Sequence, residues 1–128
     1  PDVVESEEMV LRTCETLRDM TSALSVPFIF KCSYQKANRS SGESYAGPGV
    51  QEGLEVLSKV KREFGVPVTT DVHETGDVAA VADVVDLIQI PAFLCRQTPL
   101  AIEVARAGKP VNIKKGQFVA PSAMHALV

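Results

Sequence analysis

The chain has 128 residues, 45% of them hydrophobic and none tryptophan, and 13 Lys plus Arg against 16 Asp plus Glu give a formal charge of −3. That length suits one domain or part of a larger one, and a charged share of 23% fits neither charge-driven disorder nor a polycationic nucleic-acid binder. Cys14, Cys32 and Cys95 lack paired or CxxC spacing, which argues against a disulfide scaffold or a zinc ribbon, and no apolar run suits a membrane span or a signal peptide. The expectation is a soluble, cytoplasmic α/β protein with no membrane or nucleic-acid partner.

The first segment with helical period opens at Ser6, an N-cap residue type, followed by Glu7 and Glu8 where the helix dipole favours negative charge. Its apolar positions Val10, Cys14, Leu17 and Leu24 predict one inward face. Pro27-Phe28-Ile29-Phe30 then reads as a buried strand. A long connection leads to a helix from about Val50 to Phe64, with Leu54, Leu57 and Val60 inward and Gly65 as the stop. Pro67-Val68-Thr69-Thr70 is the second strand, Asp77–Val84 an alanine-rich helix, and Asp86-Leu87-Ile88-Gln89-Ile90 the third strand. Thr98-Pro99 reads as an N-cap with proline at the first helical position, opening a helix that runs through Leu100 and Val104 to Gly108. Pro110-Val111-Asn112-Ile113 is the fourth strand, and another helix is expected from Ser122.

Short apolar strands without strict alternation, regularly interleaved with helices, predict a parallel sheet. Two architectures use this order, a doubly wound open sheet and a (β/α)8 barrel. A barrel typically takes about 250 residues, so under that reading residues 1–128 form a partial barrel domain, its N-terminal half, truncated at both ends.

Polar residues terminate the strands: Lys31 the first, Asp71 the second, Gln89 near the end of the third, and Lys114 and Lys115 the fourth. In a parallel sheet these ends share one face, which carries the sites. A lysine there requires a compensating anion; Lys31 could find it in Asp71 or in a ligand. The connection Lys31-Cys32-Ser33-Tyr34-Gln35-Lys36-Ala37-Asn38-Arg39-Ser40-Ser41 gathers cations and hydroxyls, the chemistry of phosphate binding. With Arg96, Lys114 and Lys115, the rim holds charge for two anionic groups. Gly47-Pro48-Gly49 with Gly53 does not have dinucleotide-fingerprint spacing and reads as a turn entering a helix. His73 and Glu74 are candidate ligands or acid–base groups, with capping or packing at least as good a reading for His73. Cys32 and Cys95 read as buried thiols.

At these same residues the chain resembles the 3-deoxy-D-manno-octulosonate-8-phosphate synthase family. The resemblance rests on Val4-Glu5-Ser6, Phe30-Lys31, Lys36-Ala37-Asn38-Arg39-Ser40-Ser41, Gly47-Pro48-Gly49, Thr70-Asp71-Val72-His73-Glu74, Ile88-Gln89-Ile90-Pro91-Ala92-Phe93-Leu94-Cys95-Arg96-Gln97-Thr98 and Asn112-Ile113-Lys114-Lys115-Gly116-Gln117-Phe118. The Lys36–Ser41 block is specific, because the related heptulosonate synthases carry a Lys-Pro-Arg-Thr-Ser type of segment there.

The resemblance implies a (β/α)8 TIM barrel that condenses phosphoenolpyruvate with arabinose 5-phosphate and releases inorganic phosphate, in lipopolysaccharide sugar biosynthesis. It places Lys31, Ser33, Lys36, Gln89, Lys114 and Gln117 around phosphoenolpyruvate. Asn38, Arg39 and Ser40 would hold the sugar phosphate, Asp71 its hydroxyls, and Ala92, Phe93 and Arg96 complete the pocket. Lys36, Lys31 and Asp71 are the expected catalytic set, with Lys36 in the proton-transfer or carbonyl-polarising role. A homo-oligomer, a tetramer in the family, is implied as well. The chain departs from the family at Tyr34-Gln35, where phenylalanine–aspartate is usual, at Ala46 in place of arginine and at Pro99 in place of aspartate. It also carries Asp2 where metal-dependent members have cysteine and metal-independent members asparagine. Asp2 is the candidate metal ligand or a stand-in for the asparagine without a metal; the other ligands the resemblance implies lie outside these residues, and a divalent ion is a cofactor only if the parent is metal-dependent. A heptulosonate-type synthase and a non-catalytic piece that binds phosphorylated ligands are the rival readings; the 128 residues alone are expected to be inactive.

Overall fold

A computed structural model describes residues 1–127. Four parallel strands, β1 (Phe30–Lys31), β2 (Val68–Asp71), β3 (Leu87–Ile90) and β4 (Val111–Ile113), lie side by side in chain order. Four α-helices accompany them, α1 (Glu7–Ala23), α2 (Val50–Phe64), α3 (Val78–Val84) and α4 (Thr98–Arg106). Ahead of α1, Val3 bridges Ser33 in parallel fashion and the Val4 amide donates to the Ser33 carbonyl at 3.0 Å, so an extended segment flanks the β1 edge. No helix among the described residues is long and apolar enough to cross a membrane.

Local chemistry explains most boundaries. Ser6 caps α1 by accepting from the Met9 amide at 3.3 Å, and Gly65 ends α2 in the left-handed conformation that a side chain would strain. The buried side of α2 is Gly53, Leu54, Val56, Leu57 and Val60, which packs with Phe30, Val68, Ile88 and Ile90 in one continuous core. At the N-terminal end of the sheet Lys61 Nζ donates to Asp86 Oδ1 at 2.7 Å and to the Val84 carbonyl, while Asp86 Oδ2 accepts from the Val68 amide at 2.9 Å. Burial opposes ionisation of Asp86, but Lys61 and the Val68 amide outweigh it and hold the carboxyl below its usual range.

Several sequence expectations shift. The first strand begins at Phe30, because its amide pairs with the Pro67 carbonyl just ahead of β2; Ile29 has no such partner and stays exposed. On α1 only Val10 and Cys14 are buried. Leu17 sits at the exposed edge of the face and Leu24, the C-cap residue, is 72% exposed. Near this end of α1 the Arg18 guanidinium stacks 5.1 Å from the Phe64 ring centroid. Thr98 is the first residue of α4 rather than its cap, a place taken by Gln97 without a side-chain bond, and α4 ends at Arg106 before left-handed Gly108. The segment from Pro121 to Ala126 is a 3-10 helix.

Candidate active site

Strand alternation puts every second residue on one sheet face, and register decides which meet across it. Asp71 of β2 pairs with Gln89 of β3, which pairs with Asn112 of β4; Lys31 of β1 lies opposite Thr69, one step below. This face carries the polar side chains, and they converge at the C-terminal strand ends. A cavity of about 590 Å³ opens there, lined by Asp2, Lys31, Lys36, Asn38, Asp71, His73, Gln89, Asn112, Lys114 and Gln117, with Pro91, Ala92, Phe93 and Leu94 forming an apolar wall.

Asp71 anchors the floor. Ser33, fully buried, donates to Asp71 Oδ1, and Lys31 Nζ lies 3.1 Å from both that oxygen and Ser33 Oγ. His73 Nε2 sits 3.4 Å from Asp71 Oδ2. Burial alone would raise the Asp71 pKa, but the hydrogen bonds from His73 and Ser33 and the Lys31 charge overcome it and hold the carboxyl well below the usual carboxylate range. Beneath, His73 packs edge-on against buried Tyr34, with ring centroids 5.7 Å apart, and Tyr34 Oη donates to Asp77 Oδ2 at 3.1 Å. Thr69 Oγ1 and His73 Nδ1 are buried without a hydrogen-bond partner among the described residues.

The rim is built differently. Lys36 Nζ pairs with Asp2 Oδ1 at 2.7 Å, and the Lys36 ammonium lowers the Asp2 pKa. The Lys36 amide donates to the Ala46 carbonyl at 2.6 Å and the Gly49 amide to the Tyr34 carbonyl, which folds the loop back on itself. Gln89 Oε1 accepts from Asn112 Nδ2 at 3.0 Å. Lys114 makes no ion pair among the described residues.

Most sequence candidates meet here. Asp2, Lys31, Lys36, Asn38, Asp71, Gln89, Ala92, Phe93, Lys114 and Gln117 line the cavity, and Ser33 lies under it against Asp71. Three do not join them: Ser40 and Arg96 are exposed and outside the lining, and Arg39 lies in a neighbouring depression with Glu5, Ser44 and Tyr45. Lys115 is also off the cavity, because its Nζ caps the Gly116 and Val119 carbonyls at 2.9 and 3.1 Å. Asn112 was not among the expected site residues, yet its register with Gln89 places it; the repeated polar residue in each strand was the signal. Cys32 and Cys95 are buried free thiols, and burial pushes the Cys32 pKa up to about 11. A larger groove of about 780 Å³ on the helical side, between α1, α2 and α3, lies away from these groups.

Lys36 occupies one of the Asp2 oxygens, and among the described residues no three His, Cys, Asp or Glu side chains converge.

Fold and site together define a parallel α/β protein with a cation-lined cavity at its strand C-termini, an arrangement suited to anionic small molecules. The sequence profile of the DAHP synthetase I family matches residues 1–128, and the chain belongs to that family. It is 65% identical over 121 residues to a "2-dehydro-3-deoxyphosphooctonate aldolase" of Acidithiobacillus ferrooxidans, covering 94% of this chain and 43% of that protein. Proteins of the same name from Polaromonas sp. and Alkalilimnicola ehrlichii are each 59% identical over the whole chain, covering 45% and 46% of their own lengths. The chain thus spans less than half the length of these curated relatives.

Proposed function

We propose that this chain contributes the phosphate-binding half of a synthase that condenses phosphoenolpyruvate with arabinose 5-phosphate, giving 3-deoxy-D-manno-octulosonate 8-phosphate and inorganic phosphate. The observation that carries the reading is the convergence of Lys31, Lys36 and Lys114 with Asp71, Gln89 and Asn112 on one cavity. The names of the relatives support the choice of product class. On this reading the four-stranded sheet is the first half of a (β/α)8 barrel, and the polar face of the strands is the barrel interior. Residues 1–128 are then a partial barrel domain within a cytoplasmic homo-oligomer.

The reaction joins C3 of the enol phosphate to the aldehyde carbon. Water adds at C2, and the C2–O bond to phosphate breaks as the phosphate leaves. Two polyanions must be held close, and fixed cations supply both the positioning and the charge stabilisation that this needs. Lys31 and Lys114 with Gln89 and Gln117 are assigned to phosphoenolpyruvate. Asn38 is assigned to the sugar phosphate, and Asp71 to its hydroxyls. Arg39, Ser40 and Arg96 join only if the loops carrying them move inward on ligand binding. Lys36 is assigned to polarising the aldehyde or transferring the proton.

The test is phosphate release from phosphoenolpyruvate with arabinose 5-phosphate or erythrose 4-phosphate, in the protein carrying this sequence. Preference for the pentose supports the reading, and preference for the tetrose assigns the heptulosonate reaction instead. A Lys36→Met protein is expected to lose at least about a hundredfold in turnover, as removal of a proton-transfer group does. Near-normal turnover removes Lys36 from the chemistry.

A further inference from the structure

The cavity's two lysine–carboxylate pairs differ in how firmly they are made. Asp71 is 7% exposed and has Ser33 and His73 as partners besides Lys31, so its carboxylate is tied into the floor. Asp2 is 73% exposed and its only ion-pair partner among the described residues is Lys36, whose own side chain is just 15% exposed. An exposed carboxylate held by one lysine is a weak partner that another anion can displace, whereas stripping a buried, multiply bonded carboxylate of its partners is costly. Both groups face the same cavity, so an anion entering it meets Asp2 as a competitor for Lys36.

We propose that Asp2 is an internal counter-ion of this cavity, one that an incoming anion must displace from Lys36 and that thereby sets how tightly the cavity holds anions. A carboxylate monoanion entering the cavity replaces Asp2 with an equivalent charge and gains little from Lys36. A phosphate dianion brings twice the charge and also reaches Lys31 and Lys114, so it wins the exchange. The inference rests on the cavity being an anion site, as proposed above.

The experiment is isothermal titration of inorganic phosphate, at mildly alkaline pH where the dianion prevails, and of acetate. It uses the full chain and its Asp2→Asn and Asp2→Glu variants at low ionic strength. Asp2→Asn is expected to tighten phosphate about tenfold, the effect of removing one like charge at a few ångströms from a dianion near a wet surface. Acetate, with half the charge, is expected to tighten by only about threefold, while Asp2→Glu retains the original affinities. Phosphate affinity unchanged or weakened in Asp2→Asn, with phosphate bound normally by the original protein, overturns the role of Asp2 and leaves the anion site standing. Phosphate binding to none of the three proteins overturns the anion site itself and the inference with it.

Discussion

Ser33 shows how much the site depends on side chains that never reach its surface. The hydroxyl is fully buried, donates to Asp71 and accepts from Lys31, so it joins the two charged groups of the floor. Ser33→Ala should cost about 1–3 kcal/mol, because Asp71 loses a donor that water cannot replace. Thermal unfolding measures this, and a change below about 0.5 kcal/mol contradicts the assignment. The sign of the Asp71 titration gives a second expectation. Its pKa is depressed in the folded state, so its contribution is complete above the unfolded pKa, near the ordinary 3.8, and is lost as pH falls through the native value. Asp71→Asn should therefore lower the melting temperature at neutral pH and narrow the gap to the original protein as pH drops below about 4. A gap that is constant across the series would show that the ion pair contributes nothing. At this scale the sequence was informative wherever strand geometry aims the side chain, as at Lys31, Asp71 and Gln89. Arg39, Ser40, Arg96 and Lys115 lie off the cavity, and their directions depend on loop backbone that no periodicity encodes.

At the scale of elements, the glycines around α2 acquire a cause. Tyr34 lies directly beneath the loop and the helix: its carbonyl presses on Gly47, and its Cα and Cβ fill the space where a Cβ on Gly53 would stand. Gly47 adopts φ +114, which a side chain would strain as well. The sequence reads here as a turn entering a helix, which it is, but the close approach to Tyr34 joins residues well separated in the chain and leaves no local signal. Gly53→Ala gains up to about 1 kcal/mol of helix propensity yet must push backbone aside, and overpacking of this kind costs about 1–3 kcal/mol or more. The expected net result is a lower denaturation midpoint. Gly76→Ala is the matched control, since nothing lies within 4 Å of its added Cβ and a change near zero is expected. Helix α2 itself was fully legible, from Val50 to Phe64, because its apolar period and Gly65 stop agree. The start of β1 was not, because strand limits follow from pairing partners rather than from local preference.

For the molecule as a whole, a formal charge of −3 conceals a local excess of the opposite sign. Three lysines face the cavity against two carboxylates, both already engaged by lysine. Phosphate binding should therefore weaken steadily as ionic strength rises from low salt to about 0.5 M, where the screening length falls to a few ångströms. Salt-independent affinity would argue for recognition by neutral hydrogen bonds alone. The chain's parallel α/β order was readable because helices and strands alternate so regularly. Which polar side chains share a cavity required the register, as Asn112 shows.

The Lys61–Asp86 tie, described above as part of the fold, has a bearing on how freely this site can change. It grips the N-terminal end of β2 through the Val68 amide, while Asp71 closes the other end. At about 3.3 Å per residue those two anchor points stand roughly 10 Å apart, the distance at which substitution effects begin to add independently. Lys61→Met combined with Lys31→Met, the lysine paired with Asp71, should then shift stability by the sum of the single changes, within about 0.5 kcal/mol. A site floor that is energetically uncoupled from the opposite end of its strand can change without dismantling the sheet that holds it.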